Sequence, residues 1–200
     1  MHIATAGNTM KQARILTKAE FKRVLAVINA NKHSERNRAV FYLSFYAGLR
    51  ACEIAALRMQ DVVDDNGTVK SQIVLEAAMT KGSERQRVML SKALQKELQR
   101  YVTALSASYS ADTPFIRSQK GGAFSPLTIV QLFARLYDKA GIKGASSHSG
   151  RRQFITTLAE NQINIRVIQA LARHRHLNTT MRYIDVNDVK LQNAVEVVGM

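Results

Sequence analysis

A single cysteine, Cys52, stands in the 200 residues. One thiol closes no internal disulfide and anchors no cysteine-rich zinc module, which suits an intracellular chain. Tryptophan is absent, and two prolines and ten glycines leave room for long helices. The opening stretch, MHIATAGNTMKQAR, lacks the apolar core of a signal peptide. Long hydrophobic runs are missing too. The longest, Ala39 to Leu49, is interrupted by Ser44 and Gly48 and falls short of the ~20 residues that span a bilayer. Acidic residues are scarce: 15 Asp and Glu face 29 Lys and Arg, a net charge of +14. Such a balance points to an anionic partner, with nucleic acid ahead of a membrane surface or a merely basic protein. What is present is ordinary for a globular chain. Hydrophobic residues make up 46% and charged residues 22%, so one domain with a real core is expected and disorder as the main state is excluded.

Periodicity and punctuation predict a mainly helical chain with one small antiparallel sheet, an α+β class. Residues 1–14 read as a flexible basic leader. Thr17-Lys18-Ala19-Glu20 has the form of a capping box, and Phe21, Val24, Leu25 and Ile28 follow at helical spacing, predicting a helix over 18–30. A second helix over 34–47 is apolar on all sides and so belongs in the centre. Gly48 ends it, and Arg50 opens a short helix to Leu57. Val62-Val63 and Thr68-Val69 read as strand pieces around an Asp64–Gly67 turn. Ile73–Leu75 and Arg87–Leu90 read as the arms of a hairpin, with Lys81 near its tip. Further helices are expected over 91–106, 125–140, 149–160, 165–173, 178–184 and 187–198. Residues 107–124 read as a surface loop with an extended piece at Phe115-Ile116.

Four local patterns carry chemistry, and each has an ordinary reading when taken alone. In Gly48-Leu49-Arg50-Ala51-Cys52-Glu53, Arg50 sits at a helix start, where its fork and the free helix N–H groups suit a phosphate. Alone, Arg50 and Glu53 are a surface ion pair three residues apart. Lys81 in Thr80-Lys81-Gly82 is alone a solvated turn lysine. His148 and Arg151, in His-Ser-Gly-Arg151-Arg152, share a helix face and suit a negative oxygen in a polar transition state. Alone they are a basic helix start. Finally, His174 precedes Tyr183 by nine residues, with Thr179-Thr180 between them. A tyrosine hydroxyl is a weak nucleophile until its surroundings prepare it, and a lone Tyr183 is most simply a half-buried aromatic.

Taken in order, the series resembles the catalytic domain of the tyrosine recombinases, the family of phage integrases and chromosome-dimer resolvases. That pattern has Arg in Gly-Leu-Arg-x-x-Glu, Lys on a β-hairpin, His-x-x-Arg, then His and Tyr nine apart. It falls here on Arg50, Lys81, His148, Arg151, His174 and Tyr183, across residues 16–198. The resemblance implies the tyrosine recombinase catalytic-domain fold and a site-specific DNA recombinase that works through a 3′-phosphotyrosine. Tyr183 would attack the phosphodiester, and Arg50 and Arg151 would hold its non-bridging oxygens. Lys81 would protonate the leaving 5′-oxygen, His148 would move the tyrosine's proton, and His174 would bind the phosphate. Glu53 would orient Arg50. Neither metal nor ATP is implied, because the phosphotyrosine conserves the bond energy. His176 is the weaker histidine by spacing.

The remaining positive charge is expected to grip double-stranded DNA, with candidates Lys11, Arg14, Lys70, Arg85, Arg87, Arg117, Lys120, Arg152, Arg173 and Arg175. The chain departs from the family in having Leu171-Ala172-Arg173-His174 where Leu-Gly-His is usual. The expected organisation is a leader over 1–14, a catalytic domain over 15–186 and a C-terminal helix over 187–200 docking on a neighbouring subunit. No N-terminal core-binding domain is expected, as in the short single-domain members it resembles. The expected partners are a second copy, in a tetramer on paired DNA sites, and an accessory bending or clamp protein. No membrane is expected, and the setting is the cytoplasm of a bacterium or of a phage's host. Rival readings are a non-catalytic DNA-binding remnant or regulator, a type IB topoisomerase-like relaxing activity and, more remotely, a helical RNA-binding module.

Overall fold

The computed structural model describes residues 13–79, 84–105, 109–184 and 188–199. Its centre is α2 (Ser34–Ala47), buried at nearly every position from Asn37 to Ala47. It packs against α1 (Lys18–Asn29), α5 (Lys92–Ala104), α6 (Pro126–Lys139) and α7 (Ser149–Glu160). Three of these, α1, α5 and α6, are started by local caps. In α1 the Thr17 hydroxyl accepts from the Glu20 N–H and the Glu20 carboxylate accepts from the Thr17 N–H, as the sequence predicts. Ser91 caps α5, and Ser125 caps α6 with Pro126 in its first turn. Phe21 of α1 packs its ring on Phe41 and Phe45 of α2, with centroids 5.0 and 5.3 Å apart.

Two glycines set how α2 meets the later helices. Gly48 ends α2 in the left-handed region, φ 61°, which an L side chain adopts only at a cost. A Cβ there would also lie 2.7 Å from the Phe154 ring. On α7, a Cβ at Gly150 would lie 2.3 Å from Ser44 Oγ and 2.7 Å from Phe45 Cδ2, both on α2. The two backbones therefore meet at a point where no side chain fits. That approach brings the segment after α2 and the first turn of α7 side by side.

The sheet is a hairpin of β1 (Gln72–Leu75) and β2 (Gln86–Met89), in register Ile73↔Val88 and Val74↔Arg87. Ile73, Leu75 and Val88 face the core. The tip with Lys81 lies outside the described residues, as do Lys11 and the leader up to residue 12. Val62-Val63, expected as a strand, instead closes the short helix α4 (Met59–Val62), and Val63 keeps one antiparallel bridge to Val69. Asp61 accepts from the Arg58 N–H at 2.8 Å, and this local cap outweighs the strand preference of a short β-branched pair. Phe115 and Ile116 are buried, not part of a surface loop. Phe115 donates its N–H to Leu57 O, and its carbonyl accepts from the Tyr101 hydroxyl at 2.9 Å.

The chain ends in α8 (Ile165–Ala172), α9 (Leu177–Met181) and α10 (Asp188–Glu196), with α8 packed between α7 and α9. A second, small apolar cluster of Ile155, Ala159, Ile168 and Ala172 joins α7 to α8, and Tyr183 packs on it just beyond α9. Between α2 and α4 lies the short helix α3 (Ala51–Ala56), packed on α6. Among the described residues no helix is long and apolar enough to cross a membrane.

Candidate active site

Arg50 occupies the N-cap of α3, and its extended backbone (φ −79°, ψ 158°) turns the chain out of the Gly48 corner. Glu53 sits one turn on, fully buried. Its Oε1 accepts from Arg50 Nη1 at 2.6 Å, and its Oε2 accepts from the Arg50 N–H at 2.8 Å. The pair is therefore a clamp on a fully buried carboxylate, with Arg50 partly exposed, not a surface ion pair. Burial alone would raise the Glu53 pKa. The Arg173 cation, then the Arg50 N–H and guanidinium, outweigh it and hold the carboxyl below its usual range.

Arg151 comes from the first turn of α7, beside the Gly150 crossing. Its Nη1 donates to Gly48 O at 2.7 Å and its Nη2 to Ala172 O. The guanidinium thus ties together the ends of α2 and α8 and is itself buried. Burial, with the Arg50 and Arg173 cations nearby, draws its pKa down to about 9, which leaves it charged at neutral pH.

His174 follows α8, and its Nδ1 lies 2.9 Å from the Thr180 hydroxyl, itself fully buried on α9. Burial first, then Arg151, Arg50 and Arg173, push the imidazole down to a pKa of about 4. At neutral pH it is uncharged and can offer a ring N–H or a lone pair. Its ring stacks near Tyr183, with centroids 6.1 Å apart and planes at 25°.

These side chains line two adjoining hollows. One, of about 260 Å³, is lined by Ala13, Arg50, His148, Arg151, Arg152, Thr179, Arg182 and Tyr183. His148 reaches it from the exposed N-cap of α7. The other is a groove of about 930 Å³ between β2 and the α8–α9 segment. Arg50 and Thr179 line both. The groove adds Arg87, Gln169, Arg173, His174, Arg175 and His176. Of the expected catalytic residues, Arg50, His148, Arg151, His174 and Tyr183 converge here. Lys81 lies outside the described residues.

The expected DNA-gripping cations divide by place. Arg87, Arg152 and Arg175 line the hollows. Arg14 pairs with Glu20 at 2.7 Å, and Lys120 is exposed in a loop. Arg117 lies with Arg36 and His33 at the opposite end of α2 from Arg50. Lys70 and Arg85 line a separate cleft with Asp61, Asp64 and Glu76, where Arg85 pairs with Glu76 at 3.2 Å. Arg173 requires a correction. Its side chain is 2% exposed and bonded to Glu53, so it cannot lie along a DNA backbone as an exposed cation would. Two residues went unnoticed in the sequence. Arg166, on the groove wall, could have been read from the polar face of α8, and Arg182 from its place beside Tyr183. Among the described residues no group of three or more His, Cys, Asp or Glu could hold a metal ion.

The sequence profile of the phage integrase family matches residues 14–190. The chain belongs to that family. It is 31% identical over 189 residues to the tyrosine recombinase XerD of Neisseria meningitidis, spanning 91% of this chain and 62% of that protein. It is 32% identical over 183 residues to XerA of Thermococcus kodakarensis, spanning 92% and 62%. The chain thus spans about 62% of the length of these relatives. Its fold is similar to the crystal structure of XerA recombinase, with a TM-score of 0.71 at 24% identity over 94% of this chain and 64% of that one. It is also similar to the Tn1549 transposon integrase in complex with transposon right end DNA, with a TM-score of 0.74 at 18% identity over 96% and 68%. The mainly helical fold with a small antiparallel sheet is therefore that of the tyrosine recombinase catalytic domains.

Proposed function

We propose that this chain is the catalytic part of a site-specific DNA recombinase, cutting and rejoining duplex DNA through a covalent bond to Tyr183. The observation that carries the reading is a single hollow of about 260 Å³ lined by Arg50, Arg151, His148 and Tyr183. Two arginines and a tyrosine around one small polar space suit a phosphodiester and one attacking oxygen.

Tyr183 Oη attacks phosphorus, forming the P–O bond to tyrosine while the P–O5′ bond breaks. The phenol gives up its proton, and the leaving 5′-oxygen takes one. Arg50 and Arg151 stabilise the charge that gathers on the non-bridging oxygens. Their anchors, Glu53 and the Gly48 and Ala172 carbonyls, hold them in place before DNA arrives. His174, neutral and held at Nδ1 by Thr180, offers its other ring nitrogen to the phosphate. His148, exposed at the N-cap of α7, receives or relays the tyrosine's proton. Lys81 supplies the proton to the 5′-oxygen from the hairpin tip, as the family resemblance implies. Attack by another strand's 5′-hydroxyl on the phosphotyrosine reverses the chemistry and completes the exchange.

The groove lined by Arg87, Arg166, Arg175 and His176 is where we place the DNA backbone. The net charge of +14 supports the same partner. We further infer that α10 docks on a second copy. Its principal contact is with the 3₁₀ turn that follows it, and Leu191, Val195 and Val198 are exposed. An apolar groove lined by Leu16, Phe21, Phe45, Tyr46, Phe154 and Leu158 offers such a helix a seat.

The test of function is strand exchange. Pools of duplexes carrying randomised inverted repeats are incubated with the protein, and hybrid products are sequenced. Exchange at a defined repeat supports recombination. Relaxation of supercoiled plasmid with no hybrid products would instead favour a topoisomerase-like activity, and binding with neither would favour a non-catalytic regulator.

A further inference from the structure

One buried cation beside the site has no part in the chemistry above. Arg173 ends α8 in the left-handed conformation, φ 55° and ψ 46°, where glycine is at home and a side chain is strained. Its guanidinium turns inward. Nη2 donates to Glu53 Oε2 at 2.9 Å and to Gly48 O at 3.2 Å, and Nη1 donates to Leu171 O at 3.2 Å. The Glu53 carboxylate meanwhile holds Arg50 through Nη1 and the backbone N–H. Arg50 and Arg173 therefore share one carboxylate that is closed to water. The Gly48 carbonyl is shared in the same way, between Arg173 and Arg151.

The charge count follows directly. With Arg173 in place, the Arg50–Glu53–Arg173 group carries one net positive charge. With a glycine there, the Arg50–Glu53 pair would carry none. The side chain of Arg173 is too buried to meet a ligand itself, whereas that of Arg50 is 26% exposed and faces both hollows. We infer that Arg173 is a positioning residue for the phosphate site: by sharing Glu53 and Gly48 O, it braces Arg50 and Arg151 and leaves more of the Arg50 charge free for a phosphoryl group. A strained backbone at this point is thereby exchanged for added positive potential where the anion sits. This inference rests on the proposed function for its catalytic consequence, but not for its anion-binding one.

The test compares wild type with Arg173→Gln, Arg173→Gly and Arg173→Lys. Protein labelled with ¹⁵N-arginine is titrated with inorganic phosphate, reading the Arg50 Nε–Hε resonance. In parallel, single-turnover formation of the protein–DNA adduct is followed on nicked duplex pools, with DNA affinity measured separately. Both Gln and Gly should weaken phosphate binding about tenfold and slow adduct formation while changing DNA affinity little. Lys keeps the charge and should recover most of both. A folded Arg173→Gln protein that binds phosphate as wild type does would overturn the inference. So would an Arg173→Lys protein as impaired as Arg173→Gln, since that marks a need for shape alone. If phosphate binding weakens in Arg173→Gln yet wild type forms no adduct on any duplex, the recombinase reading fails and the charge-sharing role stands. If adducts form equally well in all four proteins, the inference fails and the recombinase reading stands.

Discussion

Glu53 is the residue on which the most depends. It is fully buried and answers two guanidinium groups at once. Replacing it with Ala strands Arg50 and Arg173 without their counter-charge, and breaking a buried pair in this way costs about 3–5 kcal/mol. Urea unfolding should show that loss, and a loss below about 1 kcal/mol would mean that the carboxylate is not holding the arginines. Acid should act on the same site in two stages. The His174 pKa is depressed to about 4 from an ordinary 6.5, so between these values the unfolded chain binds the extra proton. Stability is therefore full above pH 6.5 and falls as pH drops toward 4. The Glu53 pKa is lowered from 4.5, so its contribution is present above that value and is lost at still lower pH. The urea midpoint should be flat from pH 8 to 6.5 and fall below it, and His174→Asn should remove the first part of that fall. An unchanged pH profile in His174→Asn would show that the imidazole is not buried beside the arginines.

At the scale of elements, the meeting of α2 and α7 sets the site. Gly150 allows it, and the neighbouring Arg151 depends on it. A methyl at Gly150 would have to displace Ser44 and Phe45 of the central helix. Overpacking of this kind costs about 1–3 kcal/mol, so Gly150→Ala should lower the melting temperature. It should also impair phosphate binding, because Arg151 is carried away from Gly48 O. A Gly150→Ala protein as stable as wild type would contradict the packing described here. Most helices were legible because their starts are local: Thr17 with Glu20, Ser91, and Ser125 with Pro126 all write their caps in adjacent residues. Val62-Val63 was not legible, because a cap from Asp61 competes with two β-branched residues and the winner depends on Met59 reaching the core. The burial of Phe115 is not legible in a polar loop, because it is supplied by Leu57 and Tyr101, which are far away in sequence.

For the whole molecule, charge placement separates cations that the sequence counted alike. Arg50, His148, Arg151, His174 and Tyr183 were legible because their order and spacing follow a family pattern. The inward turn of Arg173 is not legible, because a basic residue next to His174 reads as a DNA contact until Glu53 is seen beneath it. Composition likewise could not tell Arg175, on the groove wall, from Lys70, among Asp61, Asp64 and Glu76. Salt-dependent DNA binding can. Losing one phosphate contact lowers the slope of log K against log salt by about 0.9. Arg175→Ala should show that change and Lys70→Ala should not, and equal slopes for the two would mean that the DNA does not run through the groove.

The central claim is that Tyr183 bonds covalently to DNA. It is tested most directly by trapping. The protein is incubated with duplex pools nicked close to each candidate site, so that the cut strand cannot religate. The resulting adducts are digested and mapped by mass spectrometry. The account predicts a 3′-phosphodeoxynucleotide on Tyr183, absent from a folded Tyr183→Phe protein. An adduct on another residue, or one that persists in Tyr183→Phe, would contradict it.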